Sequence, residues 1–307
     1  MDAGVDDALA IMLALRSPEV NVRGITAVSG NVHVDLTSIN ALRVLEALQV
    51  AGVPVAKGMA KPLLRDLETG EEFHGQDGLG NSNLHAPTLQ VDERHAVDLL
   101  LNETRASPGA LTVVATGPLT NIATALLRDP NFARNVERLV VMGGAYGLTP
   151  YGHGNVTPAA EFNIYVDPEA ARIVFSSGIP LTCVGLDVTT DPNATLTKVL
   201  WQRIERSKVP AAQLAARITT YYMTQFGFIH LHDPMAVAFV VDPGLFSLGD
   251  YHVDIETVSN LSRGQTIADR RDWLPRGNRE RPNVSICVGV EGERFLQLFL
   301  ERLTARE

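Results

Sequence analysis

Three carboxylates, Asp2, Asp6 and Asp7, stand within the first seven residues, and the chain runs from them straight into the apolar stretch ALAIMLAL. Like charges this close repel, so the cluster costs stability unless water or a cation offsets it. Helix capping explains one or two of them, because a short carboxylate at a helix start accepts from free N–H groups and favours the helix dipole. It does not explain three, and hard-oxygen coordination of Ca2+ or Mg2+ accounts for the surplus. His232-Asp233-Pro234 opens a second apolar run, MAVAFVV. There Asp233 reads as a helix cap with Pro234 at the first helical position, and His232 as either a buried histidine or a working one. Glu161 and Asn163, two residues apart, share one side of an extended segment and can hydrogen-bond vicinal hydroxyls, unless they are an ordinary exposed loop pair. The stretch EFHGQDGLG at 72–80 holds three glycines and reads as a loop on which His74 can close over a ligand. No GK[ST] follows it, so it does not match a phosphate cradle.

The elements that must position these side chains alternate. DDALAIMLALRS has a helical period with Asp6 or Asp7 able to cap its start. VRGITAVSG, VPVAKG, ALTVVATGP, RLVVMGG and PLTCVGLDVT read as strands, separated by helical stretches such as LTSINALRVLEALQVAG, ERHAVDLLLNETRAS, LTNIATALLRD and DPEAARIVFSSG. Apolar strands alternating with helices predict an α/β fold, with a mostly parallel central sheet covered by helices on both faces, as in Rossmann-like proteins. The last third is less regular: helices around 195–225 and 234–241, strand-like YHVDIETV and PNVSICVGV, and a terminal helix ERFLQLFLERL. One domain over residues 1–307, with a smaller C-terminal part of helices and strands, is the simplest organisation. A parallel sheet presents its ligand loops at the carboxyl ends of its strands. That directs attention to MDAGVDD, SGN at 29–31, ATGPLTN at 115–121, MGGAYG at 142–147 and LHDP at 231–234.

Composition removes several function classes. A net charge of −9 argues against nucleic acid as a main partner, since a phosphate backbone needs a basic face. No apolar run reaches membrane-spanning length, so no membrane partner is expected. The two cysteines, Cys183 and Cys287, lie in apolar strand-like runs and read as buried, reduced thiols. That suits a reducing, cytoplasmic compartment.

Taken together, the motifs resemble the nucleoside hydrolases of the inosine-uridine-preferring family. MDAGVDDALA is similar to the family's N-terminal signature, an Asp, one variable residue, then Asp-Pro-Gly-x-Asp-Asp before a helix. SGN at 29–31, FHGQDGLG at 73–80, ATGPLTNIA at 115–123, VMGGAY at 141–146, AEFNIYVDPEAA at 160–171 and LHDP at 231–234 follow in the family's order. Ala3 replaces the usual proline, which loosens the turn without removing a ligand. Met1 stands at the variable position, so the signature's preceding Asp and the family's first strand are not in this sequence. The expectation is a start internal to a longer product, and a sheet missing one strand.

The resemblance implies a Ca2+-dependent enzyme that cleaves the N-glycosidic bond of ribonucleosides, with pyrimidine or mixed inosine and uridine preference, for nucleoside salvage. Asp2, Asp7, Asp233 and the backbone carbonyl of Thr116 would bind the cation. Asp6, Asn31, Met142, Asn155, Glu161 and Asn163 would hold the ribose. Asp2 would act as the general base on the attacking water, and His232 would serve the leaving base. His74, Phe226, His230 and His232 would surround that base, with Tyr222 and Gln225 as further candidates. His at position 232 matches the subgroup handling inosine, uridine and related nucleosides. A homodimer or homotetramer is implied. Two readings compete: a metal-dependent phosphohydrolase, which would need a basic residue for phosphate, and a nucleoside- or sugar-binding homologue without turnover.

Overall fold

The computed structural model describes residues 1–274 and 280–305. Eleven strands are found among them: β1 Ile25–Ala27, β2 Val55–Lys57, β3 Leu111–Ala115, β4 Val136–Met142, β5 Leu181–Val184, β6 Leu196–Thr197, β7 Phe228–Ile229, β8 Phe246–Tyr251, β9 Val253–Ile255, β10 Thr266–Ala268 and β11 Val284–Val290. The main sheet has the order β3-β4-β5-β11-β8. β3, β4, β5 and β11 run parallel, and β8 is antiparallel to β11 at the edge. The C-terminal part therefore supplies two strands to the same sheet, while β9 and β10 form a separate antiparallel pair.

Apolar strands are required because both faces of this sheet are buried. Along β4, Val140 and Met142 face one hydrophobic layer and Leu139 and Val141 the other. β5 and β11 divide in the same way: Val184 and Cys287 pack in the first layer, Cys183 and Ile286 in the second. The first layer includes the helices Val5–Leu15 and His232–Val241, which are apolar nearly all round and pack on one another. The second includes Thr120–Arg128 and Pro168–Phe175. Both cysteines are free and buried as expected, and burial pushes the Cys183 thiol up to about 12, which removes it as a nucleophile.

β1 and β2 pair in parallel but do not hydrogen-bond to the main sheet. A cavity of about 570 Å3 lies between β1 and β3, walled by both strands and by Ile11, Leu99, Val237 and Val240. At its inner end the Met1 backbone pairs with β1, its amino group donating to Thr26 O (3.0 Å) and its carbonyl accepting from Val28 N (2.9 Å). The sheet is interrupted at this slot.

Some local expectations shift. The strand expected through PLTCVGLDVT stops at Val184, and Leu186–Thr189 is a short helix. Its Asp187 carboxylate accepts from Tyr146 N, Leu148 N and Thr149 N, tying down the loop that follows β4. The 72–80 stretch is not all loop, because Glu71–His74 forms one helical turn before Gly75, Gly78 and Gly80 take positive φ.

Candidate active site

The carboxylates converge where β1, β3 and two helix starts meet. The cap of helix Val5–Leu15 is Gly4, not an aspartate. Asp7 lies three residues into the segment and takes the Gly4 N–H on Oδ2 (2.9 Å). It also accepts from Asn31 Nδ2 (3.1 Å) and Thr116 Oγ1 (2.8 Å), linking the loops after β1 and β3. Asp2 accepts the Asn31 N–H on Oδ2 (2.7 Å), and its Oδ1 is shielded with no hydrogen-bond partner. Asp6 Oδ1 is likewise shielded and unpartnered. Asp233 does not cap its helix either: Leu231 does, and the carboxylate turns inward. One oxygen each from Asp6, Asp7 and Asp233 lies within 4.8 Å of the others. Asp6 thus joins Asp7 and Asp233 in this triad, and Asp2, the ligand that the resemblance implies, is wedged between Gly30 and Gly117.

Such a cluster is unfavourable by itself. Burial, reinforced by Asp7, raises the Asp6 carboxyl to about 7 and moves Asp2 well above the usual range. Burial, then Asp6, Asp7 and Asp2, does the same to Asp233. Two shielded oxygens without donors, in an all-oxygen cage, fit a hard divalent cation. The close approach of the backbone makes this possible. A Cβ at Gly30 would overlap the Asp2 carboxylate. Gly30→Ala is therefore expected to cost about 1–3 kcal/mol by overpacking. Gly289→Ala, whose Cβ would sit 3.5 Å from its nearest neighbour, is the control. Equal melting temperatures for the two variants would contradict the wedge.

Beside the carboxylates opens a cavity of about 400 Å3. Asp6, Asn31, Thr116, Met142, Asn155, Glu161, Asn163 and Asp233 all line it. Glu161 and Asn163 are not on an extended segment. Glu161 caps the helix Phe162–Val166, accepting from Asn163 N and Ile164 N, and also takes the Gly144 N–H (3.0 Å). Asn163 donates to Met142 O (3.1 Å), and its amide lies 3.5 Å from the Thr116 carbonyl. Asn155 is fixed by accepting from Phe162 N (2.9 Å).

His74, Tyr222, His230 and His232 line the same cavity, with His74 Nδ1 3.9 Å from Asp6 Oδ1. His74 Nδ1 accepts the Val5 N–H (3.1 Å), and burial lowers its pKa to about 4. His232 is pushed down to about 3, chiefly by burial and then by His230 and His74. All three imidazoles are neutral at pH 7 in this setting, since burial also lowers His230. Phe226 does not line the cavity. Its ring is stacked with that of Phe73 (6.2 Å) and tilted against that of Tyr222 (4.6 Å), both of which line the cavity, and Gln225 is exposed. Sequence reasoning missed Tyr151 and His153 on the wall, although the glycine-bracketed YGHGN marked that loop. It also missed Asp187, for which no local signal exists.

Comparison with known proteins agrees over the full length. The model of the inosine-uridine preferring nucleoside hydrolases matches residues 1–297. The pyrimidine-specific ribonucleoside hydrolase RihA of Citrobacter koseri is 41% identical over 309 residues, covering 98% of this chain and 96% of that protein. RihA of an Escherichia coli strain is 40% identical with the same coverage. Among solved structures, a plant nucleoside hydrolase superposes with a TM-score of 0.92 at 34% identity, covering 100% of this chain and 98% of that one.

Proposed function

The chain belongs to the inosine-uridine preferring nucleoside hydrolase family, and from that membership we propose that it is a Ca2+-dependent hydrolase of pyrimidine ribonucleosides, releasing free base and ribose. The pyrimidine preference is supported by the two RihA relatives, both named pyrimidine-specific. The observation that carries the reading is that Asp6 and Asp233 stand in the wall of the same cavity as Glu161, Asn163 and His232. No lysine or arginine among the described residues lines that cavity, which favours an uncharged nucleoside over a phosphate-bearing substrate.

Asp7 and Asp233, with Asp2 and Asp6 on either side and the Thr116 carbonyl nearby, would hold the cation. When bound, it supplies the positive charge that acidifies the attacking water. Asp6, Glu161 and Asn163 hold the ribose hydroxyls and fix the anomeric carbon against the acidic cluster. Asp2 takes the proton of the attacking water, its Oδ1 being the oxygen without a donor. Bond cleavage builds an oxocarbenium-like sugar, which the buried carboxylates stabilise. The departing base gains electron density, and His232 meets it from the cavity wall.

The test is a ribose-release assay across five ribonucleosides, with and without chelator, run on the wild type and His232→Ala. Uridine and cytidine are expected to be the best substrates, with activity lost to chelator and restored by calcium. His232→Ala is expected to lower uridine turnover about 100-fold, the lower range of general acid–base effects. p-Nitrophenyl riboside, whose leaving group needs no proton, should fall far less. Equal losses on both substrates would remove His232 from the leaving-group role, and phosphate release from nucleotides without ribose release would overturn the reaction.

A further inference from the structure

Two histidines with different supports face the base side of the cavity. Their rings are 5.6 Å apart, and each anchors Nδ1 on a threonine hydroxyl. His230 Nδ1 lies 3.2 Å from Thr195 Oγ1, and that hydroxyl donates its proton to the Asp191 carbonyl (3.0 Å). A hydroxyl has one proton, so towards His230 Thr195 can only accept. His230 therefore carries its proton on Nδ1, and its Nε2 is a bare acceptor.

His232 is held the opposite way. Its Nδ1 lies 2.7 Å from Thr189 Oγ1, and this hydroxyl has no other hydrogen-bond partner among the described residues. Thr189 is fully buried on the short helix Leu186–Thr189, with its own N–H committed to Gly185 O. If the hydroxyl accepted from His232, its proton would be buried without an acceptor, which folded proteins avoid. Donation to Nδ1 satisfies both groups. The neutral ring then carries its proton on Nε2. That nitrogen has no partner among the described residues and is not among the shielded unpartnered atoms, so it opens into the cavity.

We propose that Thr189 is a positioning residue that fixes His232 as the Nε2–H tautomer, so that His232 presents a hydrogen-bond donor to the leaving base while His230 beside it presents an acceptor. This rests on the reading of the cavity as a nucleoside hydrolase site. It adds a control on the reaction that lies outside the cavity wall, since Leu186 and Thr190 line the cavity and Thr189 does not. The bond is set before substrate arrives, and only the charge developing on the base during cleavage makes full use of it.

The experiment compares Thr189→Val, which keeps the shape and removes the hydroxyl, with Thr189→Ser, which restores it. Wild-type His232 should show the Nε2–H pattern in two-bond 1H–15N spectra at pH 7, and Thr189→Val should lose it. Turnover of uridine should fall about 10- to 100-fold in Thr189→Val. Its KM and its turnover of p-nitrophenyl riboside should change little, and Thr189→Ser should recover most of the loss. An Nδ1–H pattern in the wild type would overturn the proposal. So would equal losses on the two substrates, or a serine variant no better than valine. A wild type that releases no ribose from uridine yet shows the Nε2–H pattern would instead count against the assigned reaction and leave the tautomer intact.

Discussion

Asp7→Asn is expected to abolish the response to divalent cations and to lower ribose release by about 1,000-fold or more, given that a bound metal supplies several kcal/mol of transition-state stabilisation. Asp7 is the centre of the acidic cluster. It accepts from Gly4 N, Asn31 Nδ2 and Thr116 Oγ1, and so ties a helix start to the loops after β1 and β3. Asp7→Ala would leave three buried donors without an acceptor, at about 1–3 kcal/mol each. It would also relieve the repulsion that Asp7 imposes on Asp2, Asp6 and Asp233. These effects oppose one another in a melting experiment, so the asparagine variant, which keeps the shape, is the cleaner probe. In chelator, Asp6 should favour the folded state more at pH 5 than at pH 7 while the buried His74 and His232 act in the opposite sense, so the Asp6 share is read as the part of the pH dependence that Asp6→Asn removes. The folded Asp6 carboxyl titrates near 7, above its unfolded range, so at this group the folded state binds more protons and loses stability as pH rises towards 7. Calcium should reverse this loss at pH 7, by about 2.7 kcal/mol at one hundred times its dissociation constant. In Asp7→Asn that stabilisation should disappear. A cation-dependent rise in melting temperature that survives the substitution, with activity retained, would place the cation elsewhere.

The sheet was legible because its strands, such as RLVVMGG and LTCVG, are apolar on both faces and alternate with amphipathic helices, the pattern of a parallel sheet covered on two sides. The same property misled at Leu186–Thr189, where apolar residues continue past the strand but the chain turns into a helix held by Asp187 and the loop at 146–149. Periodicity cannot separate a short buried helix from a strand. The acidic cluster was legible as a surplus of aspartates, yet their local roles were not. Gly4 and Leu231 cap the two helices; Asp7 is held instead by Asn31 and Thr116 from distant loops, and Asp233 lies against the other carboxylates. Glu161 and Asn163 were found as a pair, but the pair is built on a helix start and not on an extended segment. The hydroxyls that set the two histidines, Thr189 and Thr195, lie 43 and 35 residues from them in sequence and leave no local pattern to read. What the sequence displays is chemistry concentrated in one segment; what it hides is the partner that decides which way each group faces.

Asp2→Asn separates base catalysis from cation binding. The carboxylate is fully buried, with Oδ2 fixed by the Asn31 N–H and Oδ1 left without a donor, so only one oxygen is free to receive a proton. Burial and then Asp7 raise its pKa in the cation-free protein, and a bound cation offsets that repulsion, leaving the carboxylate ionised to take the proton. Asparagine can still accept from Asn31 with its carbonyl oxygen, and it places an amide where the proton would have gone. Turnover is therefore expected to fall by about 100- to 10,000-fold, the usual contribution of a positioned base, with KM changed no more than a few-fold. The cation-dependent rise in melting temperature should shrink but persist, because Asp6, Asp7 and Asp233 keep their mutual spacing. That pattern differs from Asp7→Asn, in which both responses vanish. If Asp2→Asn loses the cation response along with turnover, Asp2 acts through the metal site. If it turns over like the wild type, the proton goes to another group, and Asp6, whose Oδ1 is also unpartnered, is the next to substitute.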